Sequence, residues 1–347
     1  MQSCIDDSSW QDTRAWLMEH ESPGVRYLAA RHLLGLPEDD PRLRAARALA
    51  HTQGPIAAVL DQMAPEGFWA QPGPGYNPKY RSTVWAVILL AQIGARASED
   101  ARIGRACAYL IEHALCEGGQ FTASGAPSGT ADCLQGQLCW ALAELGCDHP
   151  RLAQAYEWLS RSVTGEGIAP RSERLASPRY YAGKCGPDFA CGANGELSCA
   201  WGAVKVMMAF ANAPEPYRDE RMERAVARGL AFLFGSDPAL AQYPSAYSEK
   251  PSGNWWKFGF PVFYVTDLLQ LVEALVLHGC SDAPRLANAL AAIWSRRGAQ
   301  GRWPMEYTYD GKTLVDFGPR GQANPWVTLR AMRVLLLANE SARLPGP

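Results

Sequence analysis

The sequence predicts an all-α fold, an (α/α)6 barrel or toroid of six helical hairpins with long loops on one face, built by residues 1–347 as a single domain. Three observations lead there. Two kinds of helical segment alternate strictly along the chain, one amphipathic and one apolar nearly all round. The pair recurs with a period of roughly 50–65 residues, within the range of helical repeat arrays. The loops that follow the amphipathic segments are long and rich in Gly, Pro and aromatic residues, whereas those on the other side are short.

The amphipathic helices start at residues 10–20 and then repeat one theme. Pro41-Arg42-Leu43-Arg44-Ala45-Ala46 returns as Ala101-Arg102-Ile103-Gly104-Arg105-Ala106 and as Pro150-Arg151-Leu152-Ala153-Gln154-Ala155. Glu220-Arg221-Met222-Glu223-Arg224-Ala225 and Pro284-Arg285-Leu286-Ala287-Asn288-Ala289 complete the set. One wet face makes these the outer helices. The apolar helices are expected at 25–36, 82–94, 133–146, 199–211, 264–279 and 326–339, and their composition requires burial on both sides. Gly94, Gly146 and Gly279 stand where C-terminal caps belong. A linear solenoid would need polar end caps, which neither terminus supplies, so the hairpins are expected to close into a ring with the apolar helices inside. The long loops, 66–80, 117–130, 165–198, 236–261 and 298–325, then gather at one mouth.

Apolar residues make up 48% of the chain and the formal charge is −2, which leaves no basic footprint for nucleic acid. Met1-Gln2-Ser3-Cys4-Ile5-Asp6-Asp7 carries neither a basic flank nor an apolar core, and no apolar run reaches bilayer length. Ten cysteines without an export signal point to a reducing, cytoplasmic setting. With six histidines, all expected at helix ends or turns of the outer layer, a histidine triad or His-rich metal site is not expected. No strands are expected, and there is no phosphate-binding or dinucleotide fingerprint, so no nucleotide cofactor is expected.

Three long loops begin on a Gly followed by aromatics: Gly67-Phe68-Trp69, Gly119-Gln120-Phe121 and Gly301-Arg302-Trp303. With the double-helix repeat, they make the chain similar to the squalene cyclase and protein prenyltransferase β-subunit repeat family. Lys79-Tyr80-Arg81-Ser82-Thr83-Val84-Trp85, Cys133-Leu134-Gln135-Gly136, Cys199-Ala200-Trp201-Gly202, Phe258-Gly259-Phe260-Pro261 and Trp326-Val327-Thr328-Leu329-Arg330 resemble an uncharacterised prokaryotic subgroup of cyclase-like proteins. The resemblance implies a terpenoid-cyclase-type toroid with a central apolar cavity. It does not extend to catalytic motifs. The Asp-x-Asp-Asp acid of squalene-hopene-type cyclases is absent, and Asp132 and Cys133 are adjacent where prenyltransferases have Asp-x-Cys.

The chemistry-bearing residues fall in the long loops and at the starts of the apolar helices. Cys133, Cys185, Cys191 and Cys199 would meet at the mouth between two neighbouring apolar helices, where helix N-termini favour thiolates. Such a set suits zinc or another thiolate-bound metal; a disulfide or redox pair, or unrelated buried thiols, remain open. Asp267, Glu306 and Asp132 are the candidate catalytic acids. Asp267 is expected one turn inside an apolar helix, where desolvation would raise its pKa, unless it pairs with Arg81, Lys257 or Arg330. Tyr80, Trp85, Trp201, Trp256, Phe260, Tyr264, Trp303, Tyr307 and Trp326 crowd the same face and would line a cavity able to stabilise a cation. The function these features suggest is an enzyme that cyclises, isomerises or prenylates an apolar, isoprenoid-like small molecule. A non-catalytic toroid holding a hydrophobic ligand or peptide, and a metal-free thiol-dependent enzyme using Cys199, are the alternatives.

Overall fold

A computed structural model describes residues 8–341 apart from 171, 174 and 178–183; the Tyr180–Gly183 start of the cysteine-rich loop therefore lies outside the described residues. The chain is mostly helical. The amphipathic helices are α1 (Ser8–Met18), α3 (Pro41–Thr52), α6 (Ala101–Ala114), α8 (Arg151–Thr164), α10 (Glu220–Leu233) and α12 (Leu286–Ser295). The apolar helices are α2 (Pro23–His32), α5 (Thr83–Gln92), α7 (Asp132–Glu144), α9 (Ala200–Ala211), α11 (Leu268–Leu277) and α13 (Pro325–Ser341). The short α4 (Pro55–Leu60), which periodicity does not reveal, follows α3. No described helix is long and apolar enough to cross a membrane.

Local chemistry explains the boundaries. Asp40, Asp100 and Asp219 cap α3, α6 and α10, accepting the amide N–H groups of Arg42, Arg102 and Met222 at 2.8 Å each. α5 buries every residue from Thr83 to Ala91, as an all-apolar surface demands. α11 starts later than its apolar pattern suggests. Asp267 precedes it as the cap and accepts the Gln270 N–H at 3.0 Å.

Each amphipathic helix packs on its apolar neighbour, and the apolar helices pack on one another in the order α5, α7, α9, α11, α13, α2. The stretch after α5 also meets α2, because a Cβ on Gly94 would touch the Tyr27 and Leu28 side chains. One continuous hydrophobic cluster runs from Trp10 to Ala338. The Gly-x-aromatic turns make equivalent contacts. The Trp69, Phe121 and Trp303 amides donate to Thr83 Oγ1 (3.1 Å), Gln135 Oε1 (2.6 Å) and Thr328 Oγ1 (3.0 Å) on the apolar helix that follows. Gly67 abuts Arg105 of α6, Gly119 abuts Gln154 of α8, and Gly301 abuts Ser9 and Thr13 of α1. The last turn therefore docks on the first helix, where Trp294 also stacks on Trp10 at 6.3 Å.

Contrary to the absence of strands expected from sequence, β1 (Gly259–Phe260) pairs in parallel with β2 (Tyr307–Thr308). The pairing depends on Gly259, since any Cβ there would overlap the Tyr307 backbone.

The tightest helix crossing joins α7 to α9. A Cβ on Gly136 would lie 2.5 Å from the Lys205 carbonyl carbon, a backbone atom that cannot rotate away. Gly136→Ala is expected to destabilise the protein by about 3 kcal/mol in urea denaturation. Gly104→Ala, on α6 with nothing within 4 Å of its Cβ, should be neutral or slightly stabilising. Equal stabilities of the two variants would remove this account of the α7–α9 contact.

Candidate functional site

The close α7–α9 crossing sets two helix N-termini side by side: a Cβ on Gly202 would contact the Asp132 Cβ at 3.2 Å and the Cys133 amide at 3.8 Å. The loop leading into α9 folds back as a narrow antiparallel pair. Ala190 bridges Ser198, the Cys191 N–H donates to the Leu197 carbonyl (3.1 Å), and the Cys199 N–H donates to the Phe189 carbonyl (2.9 Å). This register puts Cys191 and Cys199 on one face as diagonal neighbours. Cys185 is tied to the other helix, its Sγ 4.0 Å from the Thr130 carbonyl. Cys133, Cys191 and Cys199 are half-buried and Cys185 is buried.

The four thiols thus gather where the sequence suggested, and their electrostatics differ sharply. The Cys199 S–H, followed by the Ala193 and Asn194 amides, lowers the Cys191 thiol to about 6 against the opposing effect of burial. Cys199 is driven upward by the same contact and by burial. Burial also pushes Cys133 up to about 12 and raises Cys185, with nearby Asp132 adding to the latter. Asp132 itself is pushed up to about 8 by burial. Ser162 Oγ donates to its Oδ1 at 3.1 Å, but its Oδ2 and the neighbouring Thr130 Oγ1 have no hydrogen-bond partner among the described residues. Among the described residues, no group of three or more His, Cys, Asp or Glu side chains is placed to hold a metal ion. The expected ligand set Cys133, Cys185, Cys191 and Cys199 is a cluster of neighbours without ligating geometry.

Asp267 and Glu306 have structural tasks. Both oxygens of Asp267 meet the Arg330 guanidinium at 2.8 Å, in addition to its capping bond. Glu306 accepts the Phe258 N–H at 3.1 Å and pairs with Arg296 at 2.9 Å. Asp132 alone of the three candidate acids is buried with an unused oxygen.

The aromatic residues form packed groups. Tyr80, Trp85 and Tyr264 join Phe263 and Tyr309, with the Tyr80 and Tyr264 hydroxyls 3.0 Å apart. Tyr307 meets Tyr309 edge-on at 5.2 Å. Trp303 is fully buried and donates its Nε1–H to the Ile293 carbonyl (2.8 Å). Trp256 donates to the Ala239 carbonyl (3.1 Å), and Trp201 is half-buried at the start of α9. Phe260 and Trp326 stack at 4.9 Å and do line a central cavity.

That cavity differs from the apolar chamber expected. The 259–263 segment fills the middle of the apolar helices: the Val262 N–H donates to Gln92 Oε1 (2.7 Å), and its carbonyl accepts from Gln92 (2.7 Å) and Gln137 (3.2 Å). The remaining space, about 70 Å³, is bordered by the C-terminal halves of α2, α5, α7 and α9, the first two turns of α11 and the first half of α13. Its walls include His32, Glu144, Gln270, Glu273, Arg330 and Arg333. His32 is therefore part of the interior, not of the outer layer. Lys205, buried behind Gln270 and donating to it, is lowered to about 7 by burial. Sequence reasoning passed over Lys205, Glu273 and Glu144, although a charge inside an otherwise apolar helix is a legible signal.

No family model matches the chain, and no curated protein does. A crystal structure described as a protein from Actinoplanes aligns over 83% of this chain and 97% of its own at 14% identity, with a TM-score of 0.30. A likeness that weak carries no argument.

Asp132 gives a pH test. Its carboxyl ionises near 4 in the unfolded chain but near 8 when folded, so its contribution is complete below about 4 and is lost as pH rises toward 8. Asp132→Asn, which keeps the shape and cannot ionise, should gain stability relative to the parent between pH 4 and pH 8, by up to about 5 kcal/mol. A stability difference that does not change with pH would show that the carboxyl is not held neutral.

Proposed function

We propose that the six hairpins close into an (α/α)6 toroid and that the protein is a thiol-dependent enzyme acting through Cys191 at the mouth between α7 and α9. The docking of Gly301 and Trp294 on α1 supports closure. The observation that carries the function is the state of Cys191: a half-buried sulfur facing the Cys199 S–H and two backbone amides, with a neutral carboxyl in its electrostatic surroundings. Those neighbours stabilise a thiolate at neutral pH, the form that attacks an electrophilic carbon. The proton needed by the departing group comes from Asp132, which holds one until about pH 8. This moves the nucleophile from Cys199 to Cys191, because Cys199 is the donor of the pair. A cytoplasmic, reducing setting keeps both as thiols.

Cyclisation or prenylation of an isoprenoid-like molecule has less support. Its acids Asp267 and Glu306 are ion-paired, and the central space, charged and about 70 Å³, is too small for an isoprenoid chain.

Alkylation by iodoacetamide, followed by mass spectrometry, tests the thiol assignment. Cys191 should react first, with a rate that is half-maximal near pH 6, and Cys199→Ala, which removes the donor, should shift that midpoint upward. Labelling of Cys191 only in the ordinary thiol range of about 8.5, or a fast phase that survives in Cys191→Ser, would reject it.

A further inference from the structure

The central cavity is a second place where unspent chemistry converges, away from the thiols. Residues of all six apolar helices reach it. Of its carboxylates, Glu144 is already engaged, while Glu273 Oε1 has no hydrogen-bond partner among the described residues. Glu144 accepts from Arg31 (2.6 Å) and Arg96 (3.2 Å), and Asp267, just outside, holds Arg330. Its donors are less fully used. Arg333 touches Glu273 at 3.2 Å without the alignment of a hydrogen bond. The His32 ring and the Trp140 indole N–H make no hydrogen bond with any described residue, although both line the space. Arg31, Arg96, Arg330 and Arg333 outnumber Glu144, Glu273 and Asp267, and Lys205 adds to that side from behind Gln270. Glu38 reaches Arg31 only from the exposed side. Burial first, and then the positive charge of Arg333, Arg31 and Arg96, hold His32 well below its usual value. An anion placed among these groups would relieve that repulsion. Much of the remaining wall is apolar, with Trp326 and Leu329 on α13 and Leu28 on the neighbouring α2.

We propose that this cavity binds a small carboxylate with an apolar body, its charged end held by His32, Arg333 and the Trp140 N–H and its body against Trp326 and Leu329. A dicarboxylate fits less well, because Glu144 and Glu273 border the same space. The site does not depend on the thiol chemistry.

Calorimetric titration with benzoate, and with benzamide as its uncharged counterpart, is the experiment. Benzoate should bind at least tenfold more tightly than benzamide. Arg333→Met should lose at least tenfold in benzoate affinity, and Trp140→Phe, which keeps a ring but removes the N–H, a few-fold. Should Arg333→Met fail to fold with Glu273 left unpaired, the double variant Arg333→Met/Glu273→Leu carries the same expectation. Protein alkylated beforehand at Cys191 should bind benzoate unchanged, so failure of the thiol assignment would leave this site standing. Equal affinity for benzoate and benzamide, no benzoate binding at about 10 mM, or full affinity in the Arg333 variants would overturn the proposal.

Discussion

The contact on which the architecture depends is the turn that opens with Gly67, Gly119 or Gly301. Each turn does two things at once. Its aromatic residue donates a backbone N–H to a polar side chain in the first turns of the next apolar helix, and its glycine rests on the next amphipathic helix. Gly119, at φ 90° and against the Gln154 carbonyl, could not be replaced by any residue bearing a Cβ without moving α8. A backbone that touches backbone leaves little freedom in the angle between successive hairpins. The third of these turns sets Gly301 against Ser9 and Thr13 of α1.

That geometry also explains where the chemistry can sit. Neighbouring apolar helices run in the same direction: the start of α7 meets the start of α9, and Trp326 at the start of α13 meets Gly24 at the start of α2. Their N-termini therefore share one face. Cys199 stands at the N-terminus of α9 and Asp132 opens α7, where the Cys191 contact and burial at Cys199, and burial at Asp132, outweigh the partial positive charge of the helix ends and keep both protonated. The opposite ends carry partial negative charge, and the guanidinium groups of Arg31 and Arg96 collect near the end of α7. Glu144, in that last turn, opposes the helix dipole and is held by both of them.

The helices were legible because apolar periodicity and Asp or Gly caps are local signals; Gly94, Gly146 and Gly279 all adopt the left-handed conformation their positions implied. The gathering of Cys133, Cys185, Cys191 and Cys199 was legible too, since it follows from which helix ends are adjacent. Their roles were not. Which thiol donates and which accepts depends on the Ala190–Ser198 register and on the amides of Ala193 and Asn194, settled by loop geometry with no periodic signal. Asp267 misled because its helix begins at Leu268, so a residue that composition places inside an apolar helix is a buried cap turned toward Arg330. The filling of the space between the apolar helices by Phe260 and Val262 depends on the reach of Gln92 and Gln137 to the Val262 backbone, a pairing between residues up to 170 positions apart.

Charged residues inside the apolar helices weigh against a purely structural account of the centre. Burying an ion pair is seldom better for stability than burying hydrocarbon of the same volume, because desolvation offsets the attraction. Lys205 is the sharpest case. α9 is apolar from Ala200 to Ala211 apart from this one side chain, which burial brings down to about 7, so the helix carries a cost that Leu or Met at the same position would avoid. Arg330, Arg333 and Glu273 repeat the pattern on the neighbouring helices. If their only task were to hold the helices together, the unpartnered groups should be absent, since packing alone gives no reason to face His32 and the Trp140 N–H toward open space. A lining that gives up stability and leaves donors unused is better explained by a ligand that completes it.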